Sequence, residues 1–184
     1  MTEVSAELLD RALLEESAKK SGLVWVSTGT GSGPGSGPDR AVWHVWHQGA
    51  VVVVGGGAEQ PLAGWAAGDA VTVTVRSKDT WGRLLAWPAR VEELAPGSAE
   101  WTAAVEELKA KRLNSPDFET VAERWARESR VLRFVPAGGS SQRPGALPAD
   151  AHTAAPVPTP ATTRKPVPAA LPKLLFGRKR KQRP

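Results

Sequence analysis

The chain has 184 residues with a formal net charge of +5, no cysteine, eight tryptophans and no tyrosine, which is room for one domain and an appendage. The lack of cysteine excludes disulfides, thiolate catalysis, iron–sulfur clusters and Cys-type zinc sites. Residues 1–136 hold 15 Lys/Arg against 18 Asp/Glu, and residues 137–184 hold nine against the single acid Asp150, so the basic character belongs to the tail and gives the body no basic nucleic-acid-binding face.

Residues 3–20 predict an amphipathic helix with Val4, Leu8, Leu9, Ala12 and Leu13 on its apolar stripe, ended by Gly22. Residues 23–28 read as a strand, and Gly29 to Asp39, alternating Gly, Ser and Pro, as a loop. Residues 40–48 and 50–55 read as a hairpin turning at Gln48-Gly49, its second strand a β-branched run (Val51 to Val54) suited to burial on both faces. Residues 70–78 alternate Val71, Val73 and Val75 with Thr72, Thr74, Arg76 and Lys78, and residues 83–94 return as a long strand. Pro88 inside that strand predicts a bulge or an edge. Ser98 is the expected N-cap of one helix, with Trp101, Val105 and Leu108 inward. Ser115-Pro116-Asp117 is the expected start of another, with Phe118, Val121, Ala122 and Trp125 inward. Residues 130–135 are the last expected strand.

Beyond Pro136 periodicity ends, and nine of the sixteen prolines fall there. The division expected is a domain at 1–136 and a disordered Pro/Ala-rich tail at 137–184 ending in the run Arg178 to Arg183. That run suits a weak anionic partner, a membrane surface or a nucleic acid. The N-terminus has no basic region followed by an apolar run, and no stretch approaches a membrane span, so the expectation is a cytoplasmic protein.

Motifs for catalysis are missing. The glycine-rich loop at 29–37 lacks the Lys-Ser/Thr ending of a phosphate-binding P-loop, and no G-x-S-x-G elbow occurs. His44 and His47 fall on opposite faces of a strand, so no metal is expected, and no catalytic residue is assigned. The suggestive feature is the polar side of residues 70–78. Thr74, Arg76 and Lys78, with Ser77 between, put hydroxyls and fixed cations on one rigid element, which suits a phosphate. Trp65 and Trp81 lie in loops, where an indole can cover a planar ring or seal a subunit interface.

The element order, carried by Gly22-Leu-Val-Trp-Val-Ser, the strands within 42–54, and Val71 to Lys78 running into Gly82 to Val91, resembles the flavin-binding split β-barrel family. That family includes pyridoxamine 5'-phosphate oxidase-like proteins and deazaflavin-dependent reductases. The resemblance implies a mainly β fold with flanking helices, a six-stranded antiparallel split β-barrel forming a homodimer. It implies FMN or a deazaflavin as cofactor and oxidoreductase chemistry, with Thr74, Arg76, Ser77, Lys78, Trp65 and Trp81 as the cofactor-binding residues. Where the family's oxidases carry a basic segment after the third strand, this chain has Gly55-Gly-Gly-Ala-Glu-Gln-Pro-Leu. That departure keeps a second reading open, a non-catalytic binding module on the same fold that has lost the cofactor.

Overall fold

The computed structural model describes residues 3–28, 39–62, 64–77, 82–112, 115, 117–141 and 143, all within the compact unit Met1–Ala149. Its elements are α1 (Glu3–Lys20), β1 (Leu23–Thr28), β2 (Arg40–Trp43), β3 (Val45–His47), β4 (Ala50–Gly55), β5 (Ala70–Arg76), β6 (Arg83–Leu94), α2 (Ala99–Lys111), α3 (Val121–Glu128) and β7 (Arg130–Pro136). The strands form one antiparallel sheet in the order β2-β1-β5-β6-β7-β4-β3.

The two ends of that order, β2 and β3, are parts of one stretch broken only at His44. β2 pairs with β1 and β3 pairs with β4, so a single bent segment joins both edges and nearly closes the barrel. This explains why seven strands stand where the sequence predicts six: residues 40–48, expected as one strand, split at the bend. The β3–β4 hairpin turns at Gln48 and Gly49, both at positive φ, the geometry of a two-residue turn that matches strand twist.

The interior is lined by alternate residues, among them Val51, Val53, Val71, Val73, Trp87 and Phe134. α1 plugs one end, but not with the stripe its sequence suggests. Leu8 and Leu9 are 62% and 65% exposed, whereas Asp10, Leu14, Ser17 and Ala18 are buried. Among its described side chains, Leu14 and Ala18 enter the core, and Leu13 of the expected stripe packs against it. His44 points to this plug and hydrogen-bonds the carbonyl of Ala18 through Nε2 at 3.0 Å. Burial foremost, with Lys111 nearby, pushes its imidazole down to about 4, opposed by that hydrogen bond.

The outward residues of β4, Val52 and Val54, meet α2 and α3 through Trp101, Val105, Leu108, Val121 and Trp125. The β4 valines are thus buried on both faces, as expected. Ser98 caps α2 by accepting from the Trp101 amide at 3.1 Å. α3 departs from expectation: it starts at Val121, and Thr120 gives no side-chain cap. The Asp117 carboxylate, expected in a first helical turn, instead takes the Ser115 hydroxyl and the Arg124 guanidinium. Phe118, expected inward, is exposed under the Lys109 ammonium. No described helix is long and apolar enough to cross a membrane.

Pro88 sits at an edge. Its carbonyl accepts from the Ala137 amide at 2.9 Å, and an antiparallel residue points its N–H and C=O the same way. The missing N–H therefore faces away from β5, and the β5–β6 ladder loses nothing. The described chain also stays attached past the expected boundary at 136, since Ala137, Ser140 and Ser141 all bond to the body. Asp10 and the carbonyls of β6 supply partners that composition alone could not reveal.

Candidate functional site

The outside of the barrel has two halves. α2 and α3 cover β3, β4 and β7. The outer side of β1, β5 and β6 carries two cross-strand rows, Trp25–Thr74–Ala86 and Ser27–Thr72–Pro88. Burial along β5 alternates as the sequence predicts, with Val71, Val73 and Val75 inside, Thr72 and Thr74 half-buried, and Arg76 exposed.

At the end of this face the register shifts between Val75 and Arg76, so Leu84 is passed over and Arg76 stands opposite Arg83. A bulge of this kind re-aims a side chain. Two arginines at facing positions suit an anion that accepts from both. The Arg76 guanidinium also lies 4.5 Å over the Trp25 ring, which fixes it by a cation–π contact. The Ser77 amide donates to the Gly82 carbonyl at 2.9 Å and closes the neck of the hairpin.

Of the site residues the sequence proposes, the structure brings Thr74, Arg76 and Ser77 together on adjoining positions of one strand end. Lys78 and Trp81 lie outside the described residues. Trp65 is elsewhere: it is 1% exposed and packs edge-to-face on Phe134 with ring centroids 5.4 Å apart. A loop position did not keep it at the surface, because its segment folds onto the barrel core, and its indole offers no free face to a flavin. Arg90 sits at the far end of the β5–β6 ladder, opposite Ala70, and donates to the Gly68 carbonyl at 3.1 Å. Arg83 and Arg90, on the returning strand, are the sequence's fallback candidates, and the register shift sets Arg83 against Arg76.

A second charged cluster was not legible at all. After β4 the chain doubles back tightly: a side chain at Gly55 would place its Cβ 2.4 Å from the Gln60 carbonyl. Gln60 bridges the Trp43 amide and carbonyl and the Val54 carbonyl. Glu59 is thereby driven inward, its side chain 1% exposed, and accepts from Arg112 Nε at 3.0 Å, Arg124 Nη2 at 3.1 Å and Trp125 Nε1 at 3.0 Å. Arg124 spans to Asp117 as well, at 2.5 Å. The hydrogen bond from Arg124, then that from Ser115, holds the Asp117 carboxyl well below its usual range. The place where the resemblance would put a basic phosphate-binding segment thus holds a buried carboxylate whose cations are already engaged.

No model of a known protein family matches the chain, and no curated protein matches it. Solved structures do. The chain is similar to the crystal structure of HutZ, a heme storage protein from Vibrio cholerae, at 12% identity and a TM-score of 0.47, covering 70% of this chain and 91% of that one. It is similar to an FAD-binding protein from Mycobacterium smegmatis at 11% identity and a TM-score of 0.48, covering 76% and 94%. It is also similar to the conserved hypothetical protein Rv2991 from Mycobacterium tuberculosis at 12% identity and a TM-score of 0.48, covering 75% and 82%.

Proposed function

We propose that the β1–β5–β6 face binds a flavin-type cofactor, FMN or a deazaflavin, with its phosphate between Arg76 and Arg83. The observation that carries this reading is the register shift that sets Arg76 opposite Arg83 across the hairpin. Thr74 and Ser77 would add hydroxyl donors, and Trp25, half-buried beside Thr74, would offer an indole to the ring system. Lys78 and Trp81 complete the proposed site. A flavin or deazaflavin held there supplies hydride transfer, and the chain's own residues bind it, orient it and keep water from one side. The oxidoreductase role follows from that cofactor. We further propose a homodimer that covers the open face, testable by sedimentation, and an anionic surface as partner of the basic tail, testable by salt-dependent binding to anionic vesicles or to nucleic acid.

The test is titration of the protein with FMN and with a deazaflavin. Replacing Arg76 by Ala removes one charge-assisted hydrogen bond, about 1.5–3 kcal/mol, so affinity should fall roughly ten- to hundredfold. Arg83→Ala should fall by a similar factor. Saturable wild-type binding that both substitutions leave intact would discard this site.

A second reading has its own observation. Glu59 neutralises Arg112 and Arg124 from within the loop where a phosphate-binding segment would stand, which favours a binding module without the cofactor. The visible absorption spectrum of the purified protein, alone and after adding each cofactor, separates the two.

A further inference from the structure

β6 is longer than either neighbour. β7 pairs with it only from Ala89 to Leu94, which leaves the edge of residues 83–88 open to a third element, and an open edge exposes unpaired carbonyls. The segment 137–141 fills it. Ala137 donates its amide to the Pro88 carbonyl at 2.9 Å, and Ser141 donates its amide and its hydroxyl to the Ala86 carbonyl at 2.8 and 3.1 Å. Ala86 and Pro88 are also the β6 members of the two rows on the open face. Gly138, at φ +144, passes beside Pro88, where a Cβ would lie 3.6 Å from the ring.

What holds the segment lies 130 residues away in sequence. Asp10 of α1, 7% exposed, accepts from the Ser140 amide at 2.7 Å and hydroxyl at 2.5 Å, and pairs with Arg143 at 3.0 Å. Arg143 Nε also donates to the Ser140 hydroxyl at 2.9 Å. Gly139 is pressed against the same carboxylate, with room of only 3.1 Å for a Cβ. Burial raises the Asp10 carboxyl, but the two Ser140 hydrogen bonds and Arg143 together bring it below its usual value.

We infer that residues 137–141 are a strap along the seam of the barrel, that Asp10 is its latch, and that the latch tunes ligand binding at the adjoining face. The inference rests on the reading of that face as an anion and cofactor site. Its physical basis is an imbalance. The three hydrogen bonds to β6 are spread along the segment, whereas Asp10 alone takes two more and the Arg143 pair, so removing Asp10 loosens the strap and leaves the strand ladders whole. Freed, it uncovers Ala86 and Pro88, the row partners of Thr74 and Thr72 on the open face. Asp10 is a positioning residue in this scheme, because it acts on the face only through the strap.

The test uses the full chain and two readouts. Asp10→Ala removes the anchor, and Gly139→Ala disturbs it from the other side by crowding the carboxylate. In native-state hydrogen exchange, the Ser140 and Ser141 amides should exchange roughly ten- to hundredfold faster in Asp10→Ala, with the β5, β6 and β7 amides unchanged. FMN affinity should fall in both variants. If exchange at Ser140 and Ser141 is unmoved in both, Asp10 is not a latch. If exchange rises but FMN affinity does not move, the strap does not tune the face. If wild type binds neither FMN nor inorganic phosphate while exchange still rises, the reading of the face falls and the latch stands.

Discussion

The two halves of the barrel wall are built from the same kind of strand and finished in opposite ways. On the β3–β4–β7 half, outward valines meet Trp101 and Trp125, and the one carboxylate that enters, Glu59, is satisfied by two guanidiniums and an indole N–H. On the β1–β5–β6 half, outward positions include threonine, serine, tryptophan, alanine and proline, and Arg76 stands opposite Arg83 in the register. The covered half spends its charges on internal pairing. The open half sets two arginines at facing positions at the end of its hairpin. Stability should therefore reside in the first half and ligand binding in the second.

The largest test of that division is Glu59→Ala. It leaves the Arg112 and Arg124 guanidiniums facing a buried vacancy, and breaking a buried pair from one side costs about 3–5 kcal/mol. Chemical denaturation should show that loss, with FMN affinity unchanged under conditions where the variant is folded. Next is acid. The His44 imidazole is held at about 4 against 6.5 when free, so the unfolded chain takes up a proton that the fold refuses. Its contribution is complete above pH 6.5 and is lost as pH falls from there towards 4, roughly 3 kcal/mol in total. A His44→Gln variant should show a shallower decline in unfolding free energy over that interval. If wild type and variant decline in parallel, His44 is not the group responsible.

Smaller effects sharpen the contrast. Ser98→Ala should cost about 1 kcal/mol by removing the cap of α2, read as a shift in denaturation midpoint. Arg76→Ala should cost about 0.5–1 kcal/mol of stability, the worth of an exposed cation–π contact, while its effect on cofactor affinity is the larger one. A stability loss at Arg76 equal to that at Glu59 would erase the distinction between the halves.

The valine run of β4, the alternation of β5 and the cap at Ser98 were legible because each is written in consecutive residues and needs no distant partner. The polar face of β5 was legible for the same reason. What escaped depends on register or on remote contacts. Arg83 was a fallback candidate beside Arg90, and the bulge that skips Leu84 is what sets it, not Arg90, opposite Arg76. Glu59 meets Arg112 and Arg124 across 53 and 65 residues, and a lone acid among glycines carries no pattern. The α1 stripe was misjudged because leucines mark an apolar face, but the barrel mouth accepts Leu14, Ser17 and Ala18 and turns Leu8 and Leu9 outward. Trp65 was misjudged because its connection folds inward, and no local feature of a loop records that.

The position of β7 bears on how the protein comes to exist. It is the last strand among the described residues, yet it lies between β6 and β4 in the sheet. During synthesis every earlier strand emerges before the one that joins β4 to β6. Until residues 130–136 appear, Val51 to Val54 have only the three-residue β3 as a ladder partner, and an apolar β-branched edge of that kind pairs readily with other chains. Closure must wait for contacts between residues far apart, which slows folding. The yield of folded protein should thus depend on how quickly the last strand follows β4, and on whatever keeps nascent chains apart in the interval.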